Sequence, residues 1–240
     1  MRKDNRPYII KKTYLRFQRF YTKRFLKPQF EHLGRGALFM KPWNVEVFGS
    51  PVSIGDFSCV IASPDKKIRF SIWTDKKDVP GIKIGDYSLI CPGTRISAAQ
   101  NITIGDSCMI ASNVYITDSD WHDIYDRALP VGTTRPVIID DNVWVGDSAI
   151  ICKGVSIGKN SIIGAGSVVT CDIPANVIAA GNPAKIVKEL DGDKEIKTRK
   201  DMYKNPKELS DYFDYLDQEN MGENTFLGWL RAIISPTTKD

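Results

Sequence analysis

The sequence predicts an all-β fold, a parallel β-helix of six-residue repeats that carries a helical extension at each end. The main observation is an aliphatic residue at every sixth position between residues 139 and 169, usually followed by a small residue. Neither a helix of period 3.6 nor a strand of period 2 produces this spacing. A chain that turns a corner after each short strand does, and its coils bury a continuous core by stacking. The repeating positions are Ile139, Val145, Ile151, Ile157, Ile163 and Val169.

Composition is consistent with a soluble cytoplasmic protein. The chain has 240 residues, of which 42% are hydrophobic and 26% charged. No run approaches the ~18 apolar residues of a membrane-spanning helix. The N-terminus lacks the apolar region of a secretory signal. Five cysteines without paired spacing predict reduced thiols. With two histidines and no CxxC pair, we expect no metal site.

Residues 1–41 form a basic N-terminal extension, with twelve Lys or Arg against two Asp or Glu. Spacing from residue 8 to residue 26 predicts an amphipathic helix. Such a helix either lies on an anionic membrane surface or packs on the body with its basic face in water. No nucleic-acid motif accompanies the charge, so nucleic acid is not an expected partner. The apolar stripe is Ile10, Tyr14, Phe17, Tyr21 and Phe25, and the basic face is Lys12, Arg16, Arg19 and Lys23.

The repeat domain is assigned to residues 42–187. Its first clear hexad is Ile54-Gly55-Asp56, and the pattern resumes at Ile84 and again at Ile104. Residues 62–81 are polar and irregular, and we interpret them as a loop. Three hexads close one triangular coil, so the countable hexads predict four coils, with a partial coil from residues 45–61.

A long insertion separates Ile116 from Ile139. The two residues are 23 positions apart where six would suffice, so about 17 residues leave the coils as a loop. The segment reads TDSDWHDIYDRALPVGTTRP. Among the connections between hexads, it is the one that holds a histidine.

Residues 188–240 form a C-terminal extension that we expect to be largely helical. Residues 188–220 are rich in Lys, Glu and Asp with interleaved Tyr and Leu. The apolar segment TFLGWLRAII, residues 225–234, is too short to span a membrane. It is expected to dock on the coils or on a neighbouring subunit.

The segment NVWVGDSAIICKGVSIGKNSIIGAGSVVTCDIPANVIAAGNPAKIVKEL resembles the C-terminal coils of the hexapeptide-repeat acyltransferases. That family includes galactoside, maltose, serine and xenobiotic acetyltransferases and the O-acetyltransferases of bacterial surface polysaccharides. The resemblance covers roughly residues 45–190. It implies a left-handed β-helix, a homotrimer with active sites between subunits, and acetyl-coenzyme A as the acyl donor.

His122 is the expected catalytic base. Acyl transfer to a hydroxyl needs a group that removes the proton during attack, and imidazole serves that purpose near neutral pH. The resemblance also places the catalytic histidine in a loop after an early coil. One of Asp118, Asp120 and Asp123 is expected to orient the imidazole, and the sequence does not choose among them. The alternative is that they are acidic loop residues in water that contact sugar hydroxyls. Trp121, Asp123, Tyr125 and Arg127 suit binding of a sugar acceptor; packing within the loop is the alternative for the aromatic residues and Arg127.

The resemblance also assigns a cofactor site. Small residues at the coil corners permit close approach of pantetheine, and lysines suit the phosphates of coenzyme A. At Asp147 the galactoside enzymes have serine, and at Cys171 they have lysine. Packing at the coil corners is the alternative for Trp144 and the glycines. The expected cofactor-binding residues are Trp144, Gly146, Asp147, Gly164, Ala165, Thr170, Cys171, Lys185 and Lys188.

These observations predict an acetyl-coenzyme A-dependent O-acetyltransferase acting on a sugar hydroxyl of a surface polysaccharide or its precursor. Three alternatives remain open. The first is N-acetylation of an amino-sugar nucleotide or xenobiotic, and the second is a scaffold without enzymatic activity. The third is a carbonic anhydrase of the hexapeptide class, which needs more metal-binding histidines than this chain supplies.

Overall fold

The computed structural model describes residues 4–237. By contacts between residues, the chain divides into two compact units. The larger unit comprises residues 21–201, and the smaller comprises residues 4–20 together with residues 202–237.

The larger unit is built from three sheets, which its strands enter in rotation. The first sheet contains β1 His32–Leu33, β4 Val52–Ile54, β7 Gly81–Ile84, β10 Asn101–Ile104, β13 Val137–Ile139 and β16 Ser156–Ile157. The second contains β2 Leu38–Met40, β5 Cys59–Ile61, β8 Leu89–Ile90, β11 Met109–Ile110, β14 Trp144–Val145, β17 Ile162–Ile163, β19 Val177–Gly181 and β20 Ala184–Glu189. The third contains β3 Val45–Phe48, β6 Ile68–Ile72, β9 Arg95–Ala98, β12 Tyr115–Thr117, β15 Ile150–Ile151 and β18 Val168–Val169.

Every strand pair is parallel except the last, because β19 and β20 form an antiparallel hairpin. Three successive strands complete one coil, so the described residues form six full coils before the hairpin. The hexad aliphatics face inward and pair in register from coil to coil. Ile104 lies between Ile84 and Ile139, for example, and all three are at most 2% exposed. Stacking of coils therefore creates the continuous apolar core that the six-residue spacing predicts.

The aspartate of each Ile-Gly-Asp repeat accepts a backbone hydrogen bond from the coil before it. Oδ1 of Asp86 accepts the backbone N–H of Asp56 at 2.7 Å, and Oδ1 of Asp106 accepts that of Asp86 at 2.8 Å. Oδ1 of Asp141 accepts the N–H of Asp106 at 2.9 Å. The carboxylates thus satisfy corner N–H groups that have no partner within a strand.

The coils begin earlier than predicted. β1 and β2 lie before the expected boundary at residue 42, and β3 completes the first coil. Leu33, Phe39 and Val45 are in fact six residues apart, and Phe39 is buried. The first coil does not match the aliphatic hexad pattern, because its middle inward residue is the aromatic Phe39. Charged residues such as Arg35 and Lys41 also lie between the inward positions.

The loop predicted for residues 62–81 is also wrong in its centre. Residues 68–72 form β6, and Phe70 pairs with Ile96 at an inward position of the third sheet. Phe70 lies ten residues after the inward-facing Val60. The chain therefore has four residues more than one hexad between these two inward positions. Counting in sixes from Val60 does not reach Phe70, so the pattern does not predict the strand.

Residues 22–30 close the first coil. A π-helical turn spans Thr22–Leu26 and a 3₁₀ turn spans Lys27–Gln29. Leu26 and Phe30 are buried in the same core cluster as the coils. The ring of Phe30 lies 5.9 Å from that of Phe39 and 6.1 Å from that of Phe70, measured between centroids. These contacts add an aromatic layer to the core at its first coils.

The extensions are helical as expected, over shorter ranges. The helices are α1 Tyr8–Tyr21, α2 Arg199–Met202, α3 Pro206–Met221 and α4 Phe226–Ile234, whereas residues 190–198 are not helical. Within the smaller unit, Tyr8 Oη donates to Asp214 at 2.7 Å and Lys11 Nζ to Asp217 at 2.6 Å. No helix within residues 4–237 is long and apolar enough to cross a membrane.

The exposed face of α1 differs from the predicted one. Phe17 belongs to the expected apolar stripe but is 51% exposed, whereas Gln18 is buried. Lys12, expected on the solvated basic face, lies 3.5 Å from the carboxylate of Asp214. The acidic residues of α3 account for the difference, because they attract the basic side of α1.

Candidate active site

The insertion between β12 and β13 forms a loop that is closed at its base. The backbone N–H of Asp120 donates to the carbonyl of Thr133 at 3.0 Å, and that of Gly132 donates to the carbonyl of Asp120 at 2.8 Å. Arg135 N–H donates to the carbonyl of Asp118 at 2.8 Å. Because both ends of the loop are held together, the residues just inside them have a defined position.

His122 lies directly inside this base. Its side chain is exposed and makes no hydrogen bond or ion pair with another residue of the described chain. Its backbone packs closely against Gly132, where an added Cβ atom would collide with the carbonyl oxygen of His122. The loop therefore fixes the backbone at His122 and leaves the imidazole open to solvent and to a reactant.

Asp118 does not meet the imidazole as expected. Its carboxylate is fully buried and accepts three backbone N–H groups, from Ala99 at 2.7 Å, Gln100 at 2.8 Å and Asn101 at 2.6 Å. These groups form the turn between β9 and β10, one coil earlier. Asp118 therefore stabilises the turn beneath the loop, because the buried N–H groups would otherwise lack acceptors.

Asp120 pairs with a lysine instead of the histidine. Lys153 Nζ donates to Oδ1 of Asp120 at 2.7 Å, and both side chains are about one-third exposed or less. Lys153 follows β15 at the corner of the next coil. The sequence alone does not reveal this partner, because only the stacking of coils brings residues 120 and 153 together.

Asp123 also serves the shape of the loop. Its Oδ1 accepts the backbone N–H groups of Tyr125 at 2.8 Å and Asp126 at 2.9 Å. These bonds, chiefly the one from Asp126, lower the pKa of the Asp123 carboxyl below its ordinary value. Tyr125 beyond it is 96% exposed and Arg127 is exposed, so both remain accessible to a ligand.

Trp121 anchors the loop to the outer face of the third sheet. Its Nε1–H donates to Tyr115 Oη at 2.9 Å. The guanidinium of Arg95 in turn lies 4.5 Å from the centroid of the Tyr115 ring. Tyr115 and Arg95 were absent from the predicted site. Their outward positions at the first residue of β12 and β9 are the signal that would have pointed to them.

The expected cofactor residues fall into separate groups. Trp144 lies on the outer face of the second sheet, and Gly146, Asp147, Gly164 and Ala165 form the corner between the second and third sheets. Thr170 and Cys171 lie at the other edge of the third sheet, on the corner that also carries Lys153. Within one chain, the structure therefore does not bring these two groups into one pocket.

Gly146 and Gly164, at the corner between the second and third sheets, permit close contact between coils. An added Cβ at Gly146 would lie 2.6 Å from the backbone nitrogen of Ala165, and one at Gly164 would lie 2.9 Å from Cβ of Ala180. Only a residue without a side chain fits such spacing. Asp147 is exposed beside them and accepts a hydrogen bond from Ser148 Oγ at 2.6 Å.

Lys185 and Lys188 lie on β20, the last strand of the second sheet. Both side chains are exposed, and neither has a carboxylate partner in the described part of the chain. Lys188 pairs with Ile178, which pairs with Ile162, which pairs with Trp144. Lys188 and Trp144 thus share one face of the sheet.

The thiols and carboxylates offer no metal centre within residues 4–237. Burial raises the pKa of Cys152, next to Lys153, above its ordinary value. Cys171 is exposed, and its Sγ lies 3.8 Å from Oγ1 of Thr170.

Two family models match the repeat region. The bacterial transferase hexapeptide (six repeats) matches residues 136–171, and the hexapeptide repeat of succinyl-transferase matches residues 101–118. Together they cover the coils on both sides of the His122 loop.

Known proteins resemble the same region. The galactoside O-acetyltransferase of Escherichia coli K12 is 45% identical over 96 residues, which are 39% of this chain and 47% of that protein. A 2,3,4,5-tetrahydropyridine-2,6-dicarboxylate N-acetyltransferase of Clostridium perfringens is 52% identical over 63 residues, 26% of this chain and 27% of that protein. The match thus spans half or less of each of these relatives.

A solved structure is similar over a longer range. The hexapeptide-repeat-containing acetyltransferase of Vibrio cholerae superposes with a TM-score of 0.46 at 26% sequence identity, covering 71% of this chain and 81% of that one.

Proposed function

We propose that the chain is an acetyl-coenzyme A-dependent O-acetyltransferase; its matches to two hexapeptide family models and to a galactoside O-acetyltransferase support the proposal. Its acceptor is a sugar hydroxyl of a surface polysaccharide or of its precursor. The observation that carries the proposal is the environment of His122, an exposed imidazole on a backbone fixed by Gly132 at the closed base of a loop. The proposal includes the left-handed winding of the family.

In the proposed reaction, His122 removes the proton of the acceptor hydroxyl as its oxygen attacks the thioester carbonyl. A carbon–oxygen bond forms and the carbon–sulfur bond breaks, so the acetyl group moves to the sugar. The coenzyme A thiolate leaves and regains a proton from the imidazolium. Backbone N–H groups stabilise the oxyanion formed in between.

In this proposal the loop itself, and not a neighbouring carboxylate, orients the imidazole of His122. Asp118 is fully buried and accepts hydrogen bonds from the turn at residues 99–101, so the proposal does not assign it to the imidazole. Asp120 acts as a positioning residue through its ion pair with Lys153. Trp121, Asp123, Tyr125 and Arg127 form the acceptor side of the loop. Asp123 shapes that side, and the exposed side chains of Tyr125 and Arg127 contact the sugar.

Coenzyme A is assigned to the second sheet and the edges of the third. Trp144 and the corner of Gly146, Asp147, Gly164 and Ala165 accommodate pantetheine, whose amides pair with exposed backbone groups. Lys185 and Lys188 are free of carboxylate partners in the described chain and suit the phosphates. Thr170 and Cys171 lie near the reacting end, on the same corner as Lys153.

A homotrimer resolves the separation of the two groups of cofactor residues. One corner of a chain carries Gly146 and Gly164, while the other edge of its third sheet carries the His122 loop. Packing one subunit's corner beside the next subunit's loop would complete each site. Light scattering at micromolar concentration tests this, and a monomer mass would contradict the shared site.

N-acetylation of an amino sugar is the second candidate. The similarity to the Clostridium perfringens N-acetyltransferase, 52% identical over 63 residues, supports N-acetyl transfer as the reaction type. Both reactions need the same base and donor, so only the acceptor side of the loop would differ.

Peripheral contact with the cytoplasmic face of an anionic membrane is a further part of the proposal. On α1, Ile9, Phe17 and Phe20 are each at least half exposed. Arg16 and Arg19 are exposed on the same helix. An exposed apolar face flanked by arginine suits the interface of an anionic bilayer, where a lipid-linked sugar precursor would be found.

The testing experiment is thiol release from acetyl-coenzyme A in the presence of sugars, nucleotide sugars and lipid-linked glycans. Release that depends on a sugar, with an ester in the product, supports the proposal. An amide product favours the second candidate. Absence of coenzyme A binding by calorimetry would contradict both and indicate a scaffold.

A further inference from the structure

Two exposed aromatic side chains are stacked on the outer face of the third sheet, away from the residues assigned above. Phe48 ends β3 and Trp73 follows β6. Their ring centroids are 4.3 Å apart, and the ring planes differ by 28°. Each side chain is 52% exposed. Large apolar groups that are exposed together commonly mark a binding surface.

The pair is continuous with the His122 loop through a column of hydroxyls. Phe48 pairs with Ser71, Ser71 with Ser97, and Ser97 with Thr117. Thr117 is the last residue of β12, from which the loop departs. Since neighbouring strands are about 4.8 Å apart, the column extends roughly 14 Å from Phe48 to Thr117.

The polar groups along this column are available to a ligand. Ser71 and Ser97 are partly exposed, and their hydroxyls make no hydrogen bond within residues 4–237. Arg95 is exposed next to Ser97 and has no carboxylate partner in that range. Its contact with the Tyr115 ring leads directly to Trp121 of the loop. The surface therefore alternates an aromatic platform, hydroxyls and a guanidinium.

We propose that this strip, residues 48, 71, 73, 95 and 97, is a subsite for an extended glycan. A sugar ring presents an apolar C–H face that packs on an aromatic face, while its hydroxyls suit serine and arginine. A single hexose cannot reach from Phe48 to the loop, so the acceptor is a chain of several sugar units. This inference rests on the proposed function in one respect, namely that the His122 loop receives the acetylated end of the glycan.

Its composition distinguishes the strip from a contact between subunits. The centre of a protein–protein interface is depleted in serine, glutamate and lysine, whereas Ser71 and Ser97 lie within the strip and the ion pair of Glu46 with Lys67 lies beside it. Glu46 is held by Lys67 and Arg69, each at 2.6 Å, and these contacts lower the pKa of its carboxyl. A glycan accommodates such groups by hydrogen bonding.

The experiment measures binding of defined glycans by calorimetry without coenzyme A. The probes are glucose and N-acetylglucosamine, with the hexasaccharides of maltose, cellobiose and chitin type and a hexasaccharide of galacturonic acid. Wild-type protein should bind at least one hexasaccharide tenfold or more tightly than its monosaccharide. Phe48→Ala with Trp73→Ala should abolish that difference, whereas Phe48→Tyr with Trp73→Phe should retain it. Tyr212→Ala, an exposed aromatic of the smaller unit, is the matched control and should bind normally.

Equal affinity of wild-type and the double alanine variant for every probe would overturn the subsite. So would the absence of any gain from monosaccharide to hexasaccharide. A change of oligomeric mass in the double variant would identify the strip as a subunit contact and overturn it as well. Because the assay needs no acyl donor, its result is independent of whether acetyl transfer itself is confirmed.

Discussion

The Nζ atom of Lys153 donates a hydrogen bond to Oδ1 of Asp120 across 2.7 Å, which ties the loop of His122 to the following coil. The pair is only partly exposed, so solvent screens it incompletely. Asp120 lies two residues before His122 and on the closed base of the loop. The ion pair is therefore placed to limit movement of the imidazole.

We expect Lys153→Ala and Asp120→Asn to lower kcat by roughly three- to tenfold each. Stability should change little, because a partly exposed ion pair contributes about 0.2–1 kcal/mol. The double variant should be no worse than either single one, since residues acting through one contact are not additive. Lys153→Arg should restore most of the activity. Additive losses in the double variant would show that Asp120 acts independently of Lys153.

Gly132 should be essential for the position of His122. An alanine Cβ would collide with the carbonyl oxygen of His122, so the backbone there must move. A displacement of about 1 Å at a catalytic group can reduce the rate by about 10²-fold. We expect Gly132→Ala to lower kcat by roughly 10- to 100-fold with unchanged affinity for acetyl-coenzyme A.

Gly192→Ala is the matched control, because nothing lies within 4 Å of its added Cβ. It should retain wild-type turnover and melting temperature. If Gly132→Ala also retained wild-type turnover, the loop would tolerate movement of its base. The imidazole would then owe its position to other contacts.

How much of this could be read from the sequence depends on the range of each contact. Ile84, Ile104 and Ile139 reveal their inward direction through local six-residue spacing, and the long insertion with His122 is visible by the same count. The partners of Asp118 and Asp120 are not. Asp118 binds N–H groups 17 to 19 residues earlier, and Asp120 binds a lysine 33 residues later. Those separations follow from the lengths of the intervening corners and loops, which no single repeat encodes.

Lys185 tests the cofactor assignment. Replacing Lys185 by glutamate exchanges a cation without a carboxylate partner in the described chain for an anion beside the proposed phosphate position. We expect the Kd of coenzyme A to rise roughly 10- to 100-fold, because a charge-assisted hydrogen bond contributes about 1.5–3 kcal/mol. The effect should shrink at high salt. Calorimetry gives the affinity.

The control is Lys83→Glu, an exposed lysine of β7 in the first sheet. It makes the same change of net charge at a place outside the proposed site. Equal weakening by both variants would indicate a general effect of charge. Wild-type affinity in Lys185→Glu would remove this lysine from the site.

The membrane proposal is best tested by charge reversal on α1. Deletion of residues 1–30 is unsuitable, because it would remove Leu26 and Phe30 from the core. Each basic residue near an anionic surface contributes about 1 kcal/mol. Arg16→Glu with Arg19→Glu should therefore weaken flotation with phosphatidylserine vesicles by at least roughly 30-fold and leave turnover of a soluble acceptor intact. Lys76→Glu with Lys77→Glu, also exposed, should float like the wild type. Wild-type protein that ignores these vesicles would refute the proposal.

His122 is the residue on which the proposed chemistry depends. Its exposed imidazole has no side-chain partner in the described residues, so its removal should leave the fold undisturbed. We expect His122→Ala to lower kcat by roughly 10²–10⁴-fold, the usual contribution of a positioned general base. Affinity for acetyl-coenzyme A should stay within about twofold of wild type, because the imidazole meets the acceptor and not the phosphates. His122→Asn should be equally slow, since an amide forms hydrogen bonds but cannot take up the proton.

The control is His32→Ala, which removes the other histidine, an exposed residue of β1. This variant should keep wild-type turnover. If His122→Ala retained more than a tenth of wild-type kcat on an acceptor that the wild type clearly uses, another group would be the base. The assignment of the base to His122 would then fall, independently of whether the protein transfers acyl groups.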